Sequence, residues 1–232
     1  MEEIRQILAG LDWSPLFISI KTGIAATIVS FFLGIWAARK VLKAKTGLRA
    51  VLDGILTLPL VLPPTVAGFF LLYVFGVKRP VGQFFLEYFS VKIAFSWGAT
   101  VLAAVVMSFP LMYRSARGAF EQVDDTLVQA ARTLGMGEWT IFRKVLLANA
   151  VPGVVSGGVL AFARGLGEFG ATAMIAGNIA GKTRTLPMAV YSEVAAGNME
   201  AAYSYVAIIV VIAFLSVFLM NGAMWYSQKK SR

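Results

Sequence analysis

Five stretches of this chain are almost free of charge and long enough to cross a lipid bilayer. They run over residues 13–38, 54–77, 93–113, 145–163 and 201–228, and only the first is interrupted, by Lys21. The hydrocarbon core of a bilayer is about 30 Å thick, so a spanning helix needs about 20 mostly apolar residues. Because lipid offers the backbone no hydrogen-bond partner, such stretches must be helical. The sequence therefore predicts an all-α membrane protein with about five transmembrane helices.

A sixth apolar segment, residues 169–181, is only 13 residues long and contains three glycines. It is too short to cross the bilayer unaided, so it is predicted to be re-entrant or interfacial. No internal repeat and no polar second domain interrupts the pattern. Residues 1–232 are therefore expected to form a single transmembrane domain.

The composition excludes most enzyme chemistry. The chain has no cysteine and no histidine, which excludes disulfides, thiol nucleophiles, imidazole metal sites and Ser-His-Asp triads. It also contains no phosphate-binding motif of the form GxxxxGK[ST], so any nucleotide must be bound by another protein. We expect no catalytic site, no metal and no cofactor in this chain.

The formal charge of +9 would suggest nucleic-acid binding in a soluble protein. Here the basic residues cluster beside the apolar stretches, so orientation in a bilayer explains them better and no nucleic-acid partner is expected. With five spans, thirteen Lys and Arg residues fall on one side and seven on the other. By the positive-inside rule, the N-terminus lies outside and the C-terminus lies in the cytoplasm.

One long polar loop, about residues 114–144, follows the third span. Thr126 and Gln129 have the spacing of a capping box, which predicts that a helix begins there. The apolar stripe on this helix has the spacing i, i+3, i+4 and i+7. It consists of Leu127, Ala130, Ala131 and Leu134. The helix should end at Gly135. From spacing alone, it could rest in the headgroups or dock on a partner.

Three prolines, Pro59, Pro63 and Pro64, fall within six residues of the second span. Each lacks a backbone N–H and so leaves a carbonyl without its helical partner, which is costly in lipid. A single proline is usually an ordinary kink that shapes helix packing. Three together favour an interrupted helix inside the bundle, along a translocation path.

Arg164 and Glu168 are four residues apart at the outer end of the fourth span, where they could share a helix face and pair. The same segment contains Gly165, Gly167 and Gly170. Two interpretations are open. The charges are a structural ion pair, or the bend belongs to a gate or cavity wall and the pair keeps the path nearly neutral.

The polar loop resembles the EAA loop of ABC-importer permeases, written E-A-A-x3-G-x9-I-x-L-P. The matching residues are Gln129-Ala130-Ala131-Arg132-Thr133-Leu134-Gly135. Gln129 stands where the motif has Glu, Val145 replaces Ile and Ala148 replaces Pro. The resemblance implies a cytoplasmic coupling helix that inserts into a groove of an ATPase subunit.

Residues 58–68, 107–112, 161–172 and 179–187 are similar to the molybdate permease family of ABC transporters. The resemblance implies a non-catalytic subunit of an ATP-driven molybdate importer in the inner membrane. Implied partners are a second copy, ATP-binding subunits and an extracytoplasmic oxyanion-binding protein. It also implies that the glycine-rich bend forms part of the gate or cavity wall. Tungstate and sulfate permeases share this layout. A stand-alone secondary transporter or channel is the alternative of another class, and Glu168 is its one candidate intramembrane carboxylate.

Overall fold

The computed structural model describes residues 10–230, and this part of the chain is helical without strands. Its helices are α1 (Ser14–Leu42), α2 (Thr46–Val61), α3 (Pro64–Phe75), α4 (Pro80–Phe89), α5 (Trp97–Glu121), α6 (Asp125–Thr133), α7 (Glu138–Ile141), α8 (Leu147–Leu166), α9 (Gly170–Ala176), α10 (Leu186–Ala195) and α11 (Met199–Lys230). One π-helical turn, Phe142–Leu146, joins α7 to α8.

The helices give the expected number of membrane spans. Four are long and apolar enough to cross alone: α1, α5, the continuous stretch from α7 through α8, and α11. Helices α2 and α3 meet at a bend of 109°, and the pair makes a fifth span if the two helices are counted as one broken span. The prediction of an all-α protein with about five spans is confirmed.

Helices α1 and α5 run side by side in the same direction. Buried hydroxyl pairs fix their register: Thr22 lies 3.0 Å from Thr100, and Ser30 lies 3.0 Å from Ser108. Both pairs are 78 residues apart in sequence, as parallel helices require. Each hydroxyl supplies the other with the hydrogen-bond partner that lipid cannot provide.

Helix α8 packs antiparallel to α5. At two of its glycines the helices are too close to leave room for a larger side chain. A Cβ added at Gly153 would lie 2.6 Å from the Cβ of Ala119, and one added at Gly157 would lie 2.6 Å from the Cβ of Ser115. Small residues let helix backbones approach closely, which strengthens dispersion contacts in a membrane. Helices α1, α5 and α8 therefore form the core of the bundle, and we call them the core helices.

The two ends of the bundle differ. At one, here called the loop end, lie α6 and α7. At the other, the far end, lie α4, α9 and α10. Helix α9 has seven residues, about 10 Å of helix, and cannot cross the bilayer. Its Ile175 carbonyl accepts a hydrogen bond from the Phe95 N–H at 2.9 Å, just before α5. The predicted segment thus contains a helix too short to span, and its re-entrant or interfacial position stays a prediction.

The proline break lies between α2, which ends at Val61, and α3, which begins at Pro64. Leu62 and Pro63 are extended, because a residue before proline avoids the helical region. The two sides of the break differ within the single chain. Helix α3 buries Ala67 and Gly68, whereas α2, which contacts α1 and α5, has no fully buried residue, and Val61 is 82% exposed. That the break lies inside the bundle therefore stays a prediction.

Two glycine-to-alanine substitutions, one at a close helix contact and one at an open position, test the core packing. Gly157→Ala should lower the free energy of unfolding by about 1–3 kcal/mol, because the new methyl group overpacks the contact with Ser115. Gly118→Ala, on α5, meets nothing within 4 Å and should raise stability by about 0.5–1 kcal/mol through helix propensity. Thermal unfolding in detergent measures both. Equal effects of the two changes would contradict the proposed close packing.

Candidate functional site

The loop helix α6 begins two residues earlier than the predicted capping box. The Oδ1 atom of Asp124 accepts a hydrogen bond from the Thr126 backbone N–H at 2.8 Å, and α6 starts at Asp125. The prediction that Thr126 caps the helix is therefore wrong, because a carboxylate two residues earlier already satisfies the free N–H. That backbone hydrogen bond holds the pKa of the Asp124 carboxyl below its ordinary value.

The glycine break at the end of α6 is confirmed. Gly135 has a φ of +74°, in the left-handed region. The Met136 N–H donates to the Ala131 carbonyl at 3.1 Å, and the Gly135 N–H donates to the Arg132 carbonyl at 2.9 Å. These two bonds form a Schellman motif, which satisfies carbonyls that a helix end leaves free. The spacing Ala-x3-Gly therefore has a local reason: Ala131 accepts the closing bond of the turn that Gly135 makes possible.

The predicted apolar stripe of α6 is divided between the inside and the outside of the chain. Ala131 is buried against the bundle. Leu127, Gln129 and Ala130 are exposed, and Leu134 is 80% exposed. Exposed leucines on a short helix at a membrane surface are costly unless another surface covers them. The structure thus leaves most of the predicted coupling residues free for contact.

The base of this loop is held against the end of α1. Glu138 accepts from Arg132 at 2.8 Å through one carboxylate oxygen and from Lys43 at 3.2 Å through the other. The Arg39 guanidinium lies 4.2 Å from the ring centre of Phe142. Each exposed pair is weak alone, but the shared Glu138 joins α6, α7 and α1 at one point. We call these contacts the loop clamp. Sequence reasoning missed it because its members lie far apart in the chain.

A second polar cluster at the loop end was also missed. The buried Tyr113 hydroxyl donates to Asp53, and Arg117 pairs with Asp53 and, at 2.9 Å, with Glu121. Arg49 also pairs with Glu121. These contacts attach α2 to α5 beside a cavity of about 390 Å³. The available signal was Asp53 itself, an isolated carboxylate at the start of an apolar stretch.

At the far end, Arg164 and Glu168 pair as predicted. The Nη1 atom of Arg164 lies 2.6 Å from the Oε2 atom of Glu168, with side chains 29% and 1% exposed. The Oε1 atom of Glu168 accepts from the Ala171 backbone N–H at 2.8 Å. This second bond, absent from the sequence interpretation, fixes the start of α9 to the end of α8. One buried carboxylate therefore joins two helices.

The glycines of this bend have different surroundings. Gly165 is buried, with an added Cβ only 3.7 Å from the Ala104 side chain, and Gly167 is exposed where α8 ends. Gly170 begins α9, and a Cβ there would lie 3.0 Å from Pro64. The bend and the proline break are thus in direct contact, although Pro64 and Gly170 are 106 residues apart in sequence.

The other predicted path residues are less central. Pro59 lies within α2 and is partly exposed, and Pro63 is exposed at the break. Beside them, Gly68 of α3 packs so closely on α9 that an added Cβ would lie 2.6 Å from the Ala171 Cα atom. The predicted residues that the structure joins are therefore Arg164, Glu168 and Gly170 with Pro64.

The described residues thus form a helical membrane domain with a clamped surface loop and a broken helix that contacts the glycine-rich bend. Residues 30–232 match the family described as binding-protein-dependent transport system inner membrane component. The chain belongs to this family. It is a multi-pass permease component of an ABC importer in the inner membrane.

Relatives within this family cover nearly the whole chain. The Molybdenum transport system permease protein ModB of Escherichia coli (strain K12) is 42% identical over 97% of this chain and 99% of its own. The Putative molybdenum transport system permease protein YvgM of Bacillus subtilis (strain 168) is 40% identical over 93% and 95%. The Sulfate transport system permease protein CysT of Salmonella typhimurium is 33% identical over 86% of this chain and 73% of its own.

Solved structures support the fold. An inward-facing structure of the MetNI methionine ABC transporter superposes with a TM-score of 0.68, over 97% of this chain and 98% of that one. A crystal structure of an amino acid ABC transporter with histidines superposes with a TM-score of 0.64, over 97% of this chain and 95% of that one. Both are 18% identical to this chain, so the likeness concerns the arrangement of helices.

A double-mutant cycle tests the far-end pair. Arg164→Gln leaves a buried carboxylate without its partner, which commonly costs about 3–5 kcal/mol. Glu168→Gln should cost less, because Arg164 is partly exposed and a glutamine oxygen can still accept from Ala171. The double variant should recover part of the loss in thermal stability and in transport. Losses that simply add would show that the two residues act independently.

Proposed function

We propose that this chain is the membrane-spanning subunit of an ATP-driven importer of molybdate. The observation that carries the proposal is the near full-length likeness to molybdenum permeases, at 40–42% identity. The loop helix supports the same conclusion. Its leucines are exposed on the side away from the chain, and the loop clamp holds its base to α1. Sulfate is the second candidate substrate, favoured by the likeness to a sulfate permease.

The far end suits passage of an oxyanion rather than its retention. Molybdate is a dianion, and an unpaired arginine in the path would hold it strongly. Arg164 is instead neutralised by Glu168, so the dianion would meet little net charge there. A transporter needs binding weak enough for release. Selective capture then falls to an extracytoplasmic oxyanion-binding protein.

The loop helix provides the site for the ATPase. Leu127 and Leu134 face away from the chain, and they would enter a groove on a cytoplasmic ATP-binding subunit. ATP hydrolysis takes place in that subunit. When two such subunits close, the loop clamp through Glu138 and Lys43 would pass the displacement to α1. The core helices would then rock between inward-open and outward-open states.

A second copy of this chain would complete the path. Helix α2 has no fully buried residue, and its exposed side chains include Leu58 and Val61 beside the proline break. Carbonyls freed by prolines need protein or water around them. We place the second copy across this face, so that two breaks line one central route.

The basic loop end is assigned to the cytoplasm. Two residues of the charge count, Arg5 and Arg232, lie outside the described residues, but the clusters after α1 and around α6 lie at the loop end. A topology reporter after Arg232 should be cytoplasmic, and one inserted near Lys78 should be external. Both reporters on the same side would exclude the five-span orientation.

Uptake into vesicles tests the function. The chain is reconstituted with ATP-binding subunits and an oxyanion-binding protein from the same organism, and radioactive molybdate uptake is followed with and without ATP. We expect uptake only with ATP and little competition from excess sulfate. Strong inhibition of molybdate uptake by equimolar sulfate would instead identify sulfate as the substrate. Uptake without the ATP-binding subunits would indicate a secondary transporter or channel.

Two valine substitutions in one loop test the coupling role. Gly135→Val forces a β-branched residue into a left-handed conformation, so it should leave the protein in the membrane but abolish ATPase association and uptake. Gly137→Val is the matched control. Gly137 has an extended backbone with φ of −67°, and nothing lies within 4 Å of an added Cβ.

The control variant should retain association with the ATP-binding subunits, measured by co-purification. If Gly135→Val also co-purifies normally, the loop helix is merely interfacial and does not dock.

A further inference from the structure

Helix α4 is a short helix at the far end that the sequence analysis did not predict. It begins at Pro80, and four residues separate it from the end of α3 at Phe75. Gly82 is buried against the Gly76 carbonyl, so the backbone of α4 folds directly onto the end of α3. A four-residue connection spans at most about 14 Å. Helix α4 therefore cannot move far from the end of α3.

The side chains of α4 divide into an apolar face and a polar face. The apolar face has the helical spacing i, i+3, i+4 and i+7. It consists of Val81, Phe84, Phe85 and Tyr88. Gln83 and Glu87, four residues apart, lie on the opposite side, which also carries the exposed Leu86. Phe84 is exposed and Tyr88 is 74% exposed, so the described chain leaves much of the aromatic face uncovered.

Cations flank this aromatic face. Lys78 and Arg79 precede α4, Lys92 follows it, and all three are exposed. The Arg79 guanidinium lies 4.1 Å from the ring centre of Tyr73, at the end of α3. The one carboxylate of α4, Glu87, is on its polar face. The segment thus combines aromatic side chains with a basic rim.

We propose that α4 lies in the membrane interface, with Phe84 and Tyr88 in the lipid and with Lys78, Arg79 and Lys92 on the phosphates of anionic phospholipids. Aromatic side chains beside basic ones favour the boundary between headgroups and acyl chains. Lipid is favoured over a protein partner by the short connection to α3. The exposed apolar surface of α3, which includes Phe70 and Val74, also continues toward the same edge.

The consequence for the permease is a fixed depth for α3. Helix α3 begins at the proline break and ends at α4, so an anchored α4 holds one end of the broken helix at the membrane surface. Motion at the break would then tilt α3 about an anchored end rather than lift it out of the bilayer.

Spin labelling tests the proposal directly, because the chain contains no cysteine. Single variants Phe84→Cys and Tyr88→Cys carry a nitroxide on the apolar face, and Gln83→Cys and Glu87→Cys are the matched controls on the polar face. The full chain is reconstituted into vesicles of phosphatidylethanolamine and phosphatidylglycerol. Collision rates with oxygen, which enters lipid, and with a water-soluble nickel complex are then measured.

We expect a several-fold higher ratio of oxygen to nickel collisions at positions 84 and 88 than at 83 and 87. Equal nickel access at all four positions would overturn the proposal, because α4 would then stand in water and face a soluble partner. Protection of positions 84 and 88 from both reagents would also overturn it, because protein would cover the face.

A change of lipid tests the contact with anionic headgroups. Replacing phosphatidylglycerol by phosphatidylcholine should make the labels at 84 and 88 shallower. It should have no such effect in a variant that combines Lys78→Gln, Arg79→Gln and Lys92→Gln. If the labels lie at the same depth in both lipids when the three cations are present, the proposed contact with anionic headgroups is overturned.

Discussion

Close contact between helix backbones is the interaction on which the rest of this structure depends. In a bilayer, water does not drive helices together, so dispersion contacts and a few hydrogen bonds must hold the bundle. Glycines let α8 press against α5, and the pairs Thr22 with Thr100 and Ser30 with Ser108 fix α5 against α1. These contacts resist sliding, since a shift along either helix would separate the hydroxyls and create clashes at Gly157.

Polar contacts at both ends attach the remaining helices to this core. At the loop end, Glu138 holds α6 and α7 to α1, and Asp53 holds α2 to α5. At the far end, Glu168 joins α8 to α9, which touches the proline break through Gly170. A tightly packed core with localised polar attachments at both ends can transmit a displacement without changing its own packing. Such an arrangement fits a permease that is driven from one side of the membrane.

The sequence predicted features that depend on local chemistry. The spans follow from the length of the apolar stretches. The turn follows from the glycine at position 135, which tolerates a left-handed conformation. The pairing of Arg164 with Glu168 follows from their helical spacing. The exposure of α2 beside the proline break was not predictable, because it depends on which helices α2 meets. Two local features differ from the sequence prediction. Asp124 rather than Thr126 caps α6, and residues 80–89, for which no helix is predicted, form α4.

The central claim is that the core helices and the loop helix move as one body when the ATP-binding subunits close. Distances between spin labels at Asp125, on α6, and Leu160, on α8, measure movement within one chain when labelled copies are diluted with unlabelled ones. Labels at Asp125 in both copies measure movement between chains. With ATP bound, the distance within a chain should stay constant while the distance between copies shortens. A changed distance within the chain, with no change between copies, would contradict the account.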